Sequence, residues 1–100
     1  MTKINYVPLG SVVLLNGGSQ RMLIIARGLN VENEGSTYFF DYGGVPYPNG
    51  LTGDQMAYFN HDSIERVFFE GYRDDANEIM NDRLNEYIAQ HPELKRKNFS

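Results

Sequence analysis

Residues 12–26, VVLLNGGSQRMLIIA, contain two short apolar runs separated by a polar segment with two adjacent glycines. The runs are Val12–Leu15 and Met22–Ala26, and neither alternates between apolar and polar side chains. Glycine tolerates the positive φ angles of tight turns, so the pattern predicts a β-hairpin. Because both strands are apolar on both faces, we expect a small barrel or sandwich-like sheet. The polar stretch Gly28–Ser36 that follows is predicted to be a connection.

Further extended segments follow the hairpin. Thr37–Tyr42 contains aromatic and β-branched residues, and Met56–Phe59 is a shorter segment of the same kind. A capped helical turn predicted at Asn60–Ile64 leads into a last strand at Glu65–Glu70. The connection Gly43–Gln55 is long for a small domain, so we expect it to be functional, to be locally mobile or to hide a short strand. These segments predict an antiparallel sheet of about five strands, either strongly bent or closed as an SH3-like barrel.

An amphipathic helix is predicted near the C-terminus. Asp74 or Asp75 caps its start, and Pro92 ends it after about Gln90 because proline cannot continue a helix. Apolar residues recur at intervals of three and four, which predicts that one face packs on the sheet. The residues expected to form this face are Ile79, Met80, Leu84 and Ile88.

The chain of 100 residues is expected to form a single α+β domain, since separate cores appear only in much longer chains. Residues from about 6 to 73 are assigned to the sheet, about 74–91 to the C-terminal helix and 92–100 to a flexible tail. The tail contains the basic run Lys95-Arg96-Lys97, which we interpret as a solubilising feature.

Composition excludes several classes of function. The 13 acidic residues outnumber the 9 lysines and arginines, and the formal net charge of −4 disfavours nucleic acid as a partner. The sequence contains no cysteine, so it forms no disulfide and fits a reducing compartment. The longest apolar runs are far shorter than the roughly 18 residues that cross a bilayer, and no signal peptide is recognised. We therefore expect a cytoplasmic protein that does not contact a membrane.

Few residues suit catalysis or metal binding. His61 and His91 are the only histidines, and both are interpreted as residues at helix ends. Arg21 and Arg27 bracket the second strand and suit an anionic ligand, as in a small barrel enzyme, but no acid pair or basic surplus accompanies them. We expect no catalytic residues, no metal and no cofactor.

Aromatic residues are concentrated between Tyr38 and Tyr72, and a small core cannot bury all of them. Tyrosine is frequent at recognition surfaces because it offers a large contact area at low entropic cost. Residues in and beside the Gly43–Gln55 connection are therefore predicted to bind a protein partner: Tyr42, Tyr47, Pro48 and Tyr58. Tyr47 is the predicted anchor, because prolines on both sides restrict its backbone. Alternatively, Tyr47 fills the open end of the barrel.

Several short motifs between residues 6 and 73 occur in a recognisable order. They are Pro8–Leu15, Gly17-Gly18, Met22, Ile24, Arg27-Gly28, Asp41-Tyr42-x-Gly44, Tyr47-Pro48-x-Gly50, Phe59-Asn60-His61-x-x-Ile64 and Val67-x-Phe69-x-Gly71-Tyr72. In this order and spacing they resemble a family of small Gram-positive bacterial proteins with a domain of unknown function. Members of that family are encoded in type VII secretion loci beside LXG polymorphic toxins.

This resemblance implies a small cytoplasmic accessory protein that acts as a chaperone or targeting factor for an LXG-type toxin, and it implies no catalytic residue. We therefore expect a non-enzymatic protein-interaction module whose partner is a secreted LXG-type toxin or another secretion accessory protein. Two alternatives stay open at this point. One is an immunity protein that neutralises a toxin domain, and the other is a small barrel enzyme that uses Arg21, Arg27 or His61.

Overall fold

The computed structural model describes residues 3–96 and has five strands, one 3-10 turn and one helix. The elements are β1 (Val12–Leu15), β2 (Arg21–Asn33), β3 (Ser36–Pro46), β4 (Ala57–Phe59), the 3-10 turn (His61–Ser63), β5 (Ile64–Phe69) and α1 (Asp75–Gln90). All strand pairs are antiparallel, in the order β4-β3-β2-β1-β5. The sheet is not closed, so the predicted α+β fold is confirmed in its open form and the barrel alternative is wrong.

The hairpin formed by β2 and β3 is much longer than the sequence predicts. Residues assigned to a connection, Gly28–Ser36, instead continue β2 to Asn33 and begin β3. The turn between the strands consists of Glu34 and Gly35, both with positive φ (52° and 79°). A two-residue turn in which both residues have positive φ matches the right-handed twist of the two strands that it connects. This end of the hairpin is only partly buried and therefore contains polar side chains. The sequence pattern for that reason did not predict strands here.

The third strand also extends further than expected, through Pro46. The first four residues of the predicted connection Gly43–Gln55 therefore belong to β3, which confirms a strand hidden there. Gly43 lies where a Cβ atom would approach the side chains of Leu29 and Met56 to less than 3 Å. A larger residue at this position would force these two side chains to move.

The helix begins and ends where the sequence predicts, but it packs through a different face. Asp74 caps α1 by accepting a hydrogen bond from the Asn77 N–H at 3.0 Å. Ile79 and Met80, predicted to be packed, are 54% and 37% exposed. The buried residues of the helix are Asn77, Asn81 and Leu84, and the prediction is right for Leu84 and for the partly buried Ile88.

Asparagine side chains on α1 bind the extended segment that precedes β1. The Ile4 N–H donates to Asn85 Oδ1 at 2.7 Å, and the Tyr6 N–H donates to Asn81 Oδ1 at the same distance. Two residues of extended chain span about 6.6 Å and four residues of helix about 6 Å, so the two repeats match. Asn85 Nδ2 also donates to the Ile4 carbonyl at 2.8 Å. The asparagine side chains thus satisfy backbone groups of this segment, as the backbone of a neighbouring strand would. This explains why polar residues occupy the packed face of α1.

The core lies between the sheet and α1. Its buried members are Tyr6, Val7, Val13, Met22, Ile24, Phe39, Tyr42, Phe59 and Leu84. Leu84 reaches the sheet at Gly28, where φ is +68° and any Cβ atom would collide with the leucine side chain. Within residues 3–96 no helix is long and apolar enough to cross a membrane.

The residues after α1 return to the sheet, which differs from the flexible tail predicted for 92–100. Lys95 forms a bridge with Tyr38, and its carbonyl accepts from the Phe39 N–H at 2.8 Å. Arg96 makes an ion pair with Asp41. Residues 92–96 are therefore held by hydrogen bonds and charge, whereas 97–100 lie outside the described residues.

Candidate protein-binding surface

One face of the sheet carries a shallow apolar groove that α1 does not cover. Val13 and Met22 pair across β1 and β2 and belong to the core with Leu84. Their neighbours Val12 and Leu23 also pair and, because side chains alternate along a strand, point away from that core. The groove measures about 470 Å³ and is lined by Gly10, Val12, Arg21, Leu23, Tyr47, Phe68 and Phe69. We call the surface formed by these residues the outer face.

Phe68 reaches the outer face because β5 does not pair evenly with β1. Val67 pairs with Val13 and Phe69 pairs with Val12, so Phe68 is left between two successive pairs. An extra residue of this kind is a β-bulge, which redirects the side chains of the strand that carries it. Phe68 and Phe69 are consecutive, yet both line the groove.

Two arginines flank the ring of Phe68. The guanidinium carbons of Arg21 and Arg66 lie 5.2 and 4.8 Å from the ring centroid, within the range of cation–π attraction. Among residues 3–96, neither arginine has a carboxylate within ion-pair distance. The apolar floor of the outer face is therefore flanked by two positive charges that have no carboxylate partner among residues 3–96, in a chain of net charge −4.

The apolar side chains of the outer face are in contact with solvent. Phe69 is 61% exposed, and Tyr47 and Phe68 are each about two-fifths exposed. Leu9 and Val67, adjacent in sequence to groove residues, are exposed as well. Clustered exposed apolar side chains on a small protein mark interaction surfaces more often than scattered ones do. The outer face therefore has the character of a protein-binding surface.

Tyr47 is the predicted binding residue that lies on the outer face. Its N–H donates to the Arg21 carbonyl at 2.8 Å, and its carbonyl accepts from Gln20 Nε2 at 2.9 Å. These bonds fix the turn to the start of β2 while the ring remains accessible. Pro48 follows in the same turn and is exposed. Because the sheet is open, there is no barrel end for Tyr47 to fill.

Tyr42 does not belong to the outer face, and its predicted role at the surface is wrong. It is fully buried, its hydroxyl accepts from the Val7 N–H at 2.8 Å, and its ring stacks on Phe59. Burial raises the pKa of this hydroxyl. Tyr58 is half-buried, with its ring centroid 5.7 Å from that of Phe40, and does not line the groove. The four predicted residues therefore do not form one patch.

Away from the outer face, a polar cluster surrounds the buried carboxylate of Asp41. Asp41 was not among the predicted site residues. This carboxylate accepts from the Tyr6 hydroxyl at 2.8 Å, the His61 N–H at 2.8 Å and Arg96 at 2.7 Å. The pKa of the Tyr6 hydroxyl is raised mainly by burial and, to a smaller extent, by the nearby charge of Asp41. The cluster joins four distant parts of the chain, so its geometry fits a structural role.

The helical turn predicted at Asn60–Ile64 is present as the 3-10 turn His61–Ser63, but the Asn60 side chain makes no capping bond with it. Its Oδ1 atom instead accepts from the Asp41 N–H at 3.1 Å and from Arg96 at 3.2 Å. The physical reason is that the backbone N–H of Asp41 in β3 is buried, where a donor without an acceptor is costly.

The residues considered for an enzymatic role lie in three different environments. Arg21 stacks on Phe68, Arg27 donates to Asn77 Oδ1 at 2.9 Å, and His61 Nδ1 shares a hydrogen bond of 2.7 Å with the Tyr42 hydroxyl. Burial lowers the pKa of the Arg27 guanidinium. In the part of the chain that the structure describes, no three His, Asp or Glu side chains are grouped closely enough to hold a metal ion.

Phe68, Phe69 and Arg66 were not predicted, because the binding residues were sought in and beside the Gly43–Gln55 connection. A signal for their exposure was present in the sequence, since Val67-Phe68-Phe69 is an unalternated apolar run between Arg66 and Glu70 in the last strand. A last strand often forms a sheet edge, where such a run cannot bury both of its faces.

Comparison with known proteins gives one match. No significant match was found among the curated proteins or among the solved structures. The family described as a domain of unknown function, DUF4176, matches residues 6–80, a range that includes the whole sheet and the start of α1. The chain therefore belongs to the DUF4176 family.

Proposed function

We propose that this chain is a non-enzymatic protein-interaction module that binds its partner through the outer face. The observation that carries the proposal is the exposed apolar groove around Phe68, flanked by two arginines without carboxylate partners among residues 3–96. Burying such a surface in a complex removes apolar area from water and gives the arginines a place for ion pairs. The separate environments of Arg21, Arg27 and His61 favour binding over catalysis.

The partner that best fits this proposal is an LXG-type toxin of a type VII secretion system, or another accessory protein of that pathway. Support comes from the sequence motifs that resemble proteins encoded beside such toxins. Membership of the DUF4176 family supports the part of that resemblance that concerns a domain of unknown function. In this role the chain binds the toxin in the cytoplasm before export, as a chaperone or targeting factor.

Copurification tests the proposal directly. The tagged chain is coexpressed with a full-length LXG toxin encoded beside it, with the LXG region alone, or with the isolated toxin domain. Recovery of the full-length toxin and the LXG region supports targeting or chaperoning. Recovery of the toxin domain alone, with loss of toxicity, supports an immunity protein instead. Recovery of none of the three contradicts the assignment to this pathway.

A matched pair of substitutions locates the binding surface in the same assay. Phe69→Ser removes an apolar side chain that is 61% exposed on the outer face, and Ile79→Ser removes one that is 54% exposed on α1. We expect Phe69→Ser to reduce recovery of the partner strongly and Ile79→Ser to leave it unchanged. The reverse pattern would place the interface on α1.

A further inference from the structure

We infer that the outer face receives an acidic amphipathic helix of the partner. This inference rests on the proposed function and specifies the chemistry of what binds there. Three features of the described residues lead to it: the irregular edge of the sheet, the apolar character of its uncovered face, and the sign of the charges beside that face.

The sheet edge next to the outer face is poorly suited to accept a partner strand. β5 is an edge strand that pairs with β1. Two register shifts interrupt this pairing and leave Glu65 and Phe68 between successive pairs. Bulges and charged side chains such as Glu65 and Arg66 oppose the addition of another strand. The opposite edge strand, β4, has only three residues. Docking on the face is therefore favoured over docking on the edge.

A helix is the element that this protein already packs on a sheet face. α1 lies on the face opposite the groove, where Leu84 joins Val13 and Met22 in the core. The outer face offers apolar side chains from the neighbouring strands β1, β2 and β5 and remains exposed. In layered proteins the apolar stripe of a helix covers such a surface. A partner helix on the outer face would give the sheet a helix on each side.

The arginines determine the charge that the incoming helix must carry. Leu14 of β1 pairs with Arg21 of β2 on one side and with Arg66 of β5 on the other. The two positive charges are therefore close to each other. Glutamate or aspartate residues beside the apolar stripe of the partner helix would form ion pairs with them. A second copy docked symmetrically would instead bring the same positive face against itself. An acidic partner therefore fits better than self-association.

Three synthetic peptides test this inference. Each peptide is titrated into the full chain, and the amide signals of the chain are followed in nitrogen–proton NMR spectra. The acidic peptide carries leucines along one helical face with glutamates beside them. The basic peptide has lysine at each glutamate position, and the third peptide is the acidic one interrupted by a central proline. We expect the acidic peptide to shift the amide signals of Val12, Leu23 and Phe68. It should bind at least about ten-fold more tightly than either of the others.

Substitutions in the chain identify the charges responsible. The double variant Arg21→Glu/Arg66→Glu should reverse the preference between the acidic and basic peptides. The milder double variant Arg21→Gln/Arg66→Gln should abolish the preference for the acidic peptide. It replaces the charge-reversed variant in the test if that variant does not fold. Arg83→Glu, at an exposed position on α1, is the control and should leave the preference unchanged.

Several results would overturn the inference: equal affinity for the acidic and basic peptides, full affinity for the proline peptide, signals that shift on α1 instead, or no binding of the acidic peptide. The peptides contain no toxin sequence. A failed copurification with the toxin would therefore contradict the assigned pathway and leave the peptide result standing, whereas failed peptide binding would contradict only the inferred partner chemistry.

Discussion

The guanidinium of Arg96 donates to the carboxylate of Asp41 at 2.7 Å and joins the segment after α1 to β3. The Asp41 side chain is 1% exposed and that of Arg96 is 34% exposed. The same carboxylate also accepts from the Tyr6 hydroxyl and the His61 N–H. One buried charge thus holds the N-terminal segment, β3, the 3-10 turn and the C-terminal segment together.

The Asp41 cluster predicts unequal effects of removing its two charges. Arg96→Ala should lower the free energy of unfolding by about 1–2 kcal/mol, because Asp41 keeps two donors. Asp41→Ala should cost about 3–5 kcal/mol, because buried donors and the guanidinium lose their acceptor. Urea unfolding of both variants and the double variant measures this. Strictly additive losses would show that the two residues are not coupled.

The hydrogen bonds that the asparagine side chains of α1 accept from the N-terminal segment give a second prediction. Asn81→Ala leaves the buried N–H of Tyr6 without its acceptor and should cost about 1–3 kcal/mol in the free energy of unfolding. Glu86→Ala, at an exposed position of the same helix, is the control and should leave the urea midpoint unchanged. Equal midpoints for the two variants would mean that the N-terminal segment does not depend on α1.

Sequence alone predicted those parts of the fold that have strong local signals. The β1–β2 hairpin, the fourth and fifth strands and the helix bounds were right, because glycine turns, apolar runs and the cap at Asp74 act locally. The packed face of α1 was wrong, because asparagine is a weak helix former with no apolar signal. The role of the asparagines depends on residues 75 and 81 positions away, which no local pattern reveals.

The candidate site was only partly predictable for a related reason. Tyr47 was expected to be exposed in a turn and is 42% exposed there, whereas its role in binding stays a prediction. Tyr42 was expected at the surface but is buried, because alternation alone does not tell which face of β3 is covered. Phe68 joined the surface through a bulge, and bulges depend on how two distant strands pair. Residues 92–96 were assigned to a flexible tail because the sequence does not show that Arg96 finds its partner 55 residues earlier in the chain.

Alkaline pH should destabilise the protein through its buried tyrosines. Burial raises the pKa of the Tyr6 and Tyr42 hydroxyls, whereas in the unfolded chain they titrate near about 10. Above that pH the unfolded state releases protons that the native state keeps, so the free energy of unfolding falls as pH rises. Each tyrosine contributes up to about 1.4 kcal/mol per pH unit, and below about pH 10 its contribution is constant.

Urea unfolding at several pH values between about 8 and 11 measures this slope. Tyr42→Phe removes one of the two ionising groups and should make the decline shallower. An unchanged slope in that variant would show that the Tyr42 hydroxyl ionises equally in both states.

Tyr47→Ala separates a binding role from a role in the core. Because the side chain is 42% exposed, its removal should cost less than about 1.5 kcal/mol in the free energy of unfolding while it weakens partner binding. Denaturation and copurification of the same preparation give both values. A loss of about 3 kcal/mol with normal partner recovery would identify Tyr47 as a core residue and contradict its assignment to the site.

The absence of cysteine allows a direct footprint of the outer face. Single cysteines are introduced as Tyr47→Cys, Phe69→Cys and, on α1, Ile79→Cys, and each thiol is labelled with and without the partner that copurifies. Mass spectrometry of this chain gives the labelling rates. Binding through the outer face predicts slower labelling at positions 47 and 69 in the complex and an unchanged rate at position 79. Protection at position 79 with unchanged labelling at 47 and 69 would contradict the account.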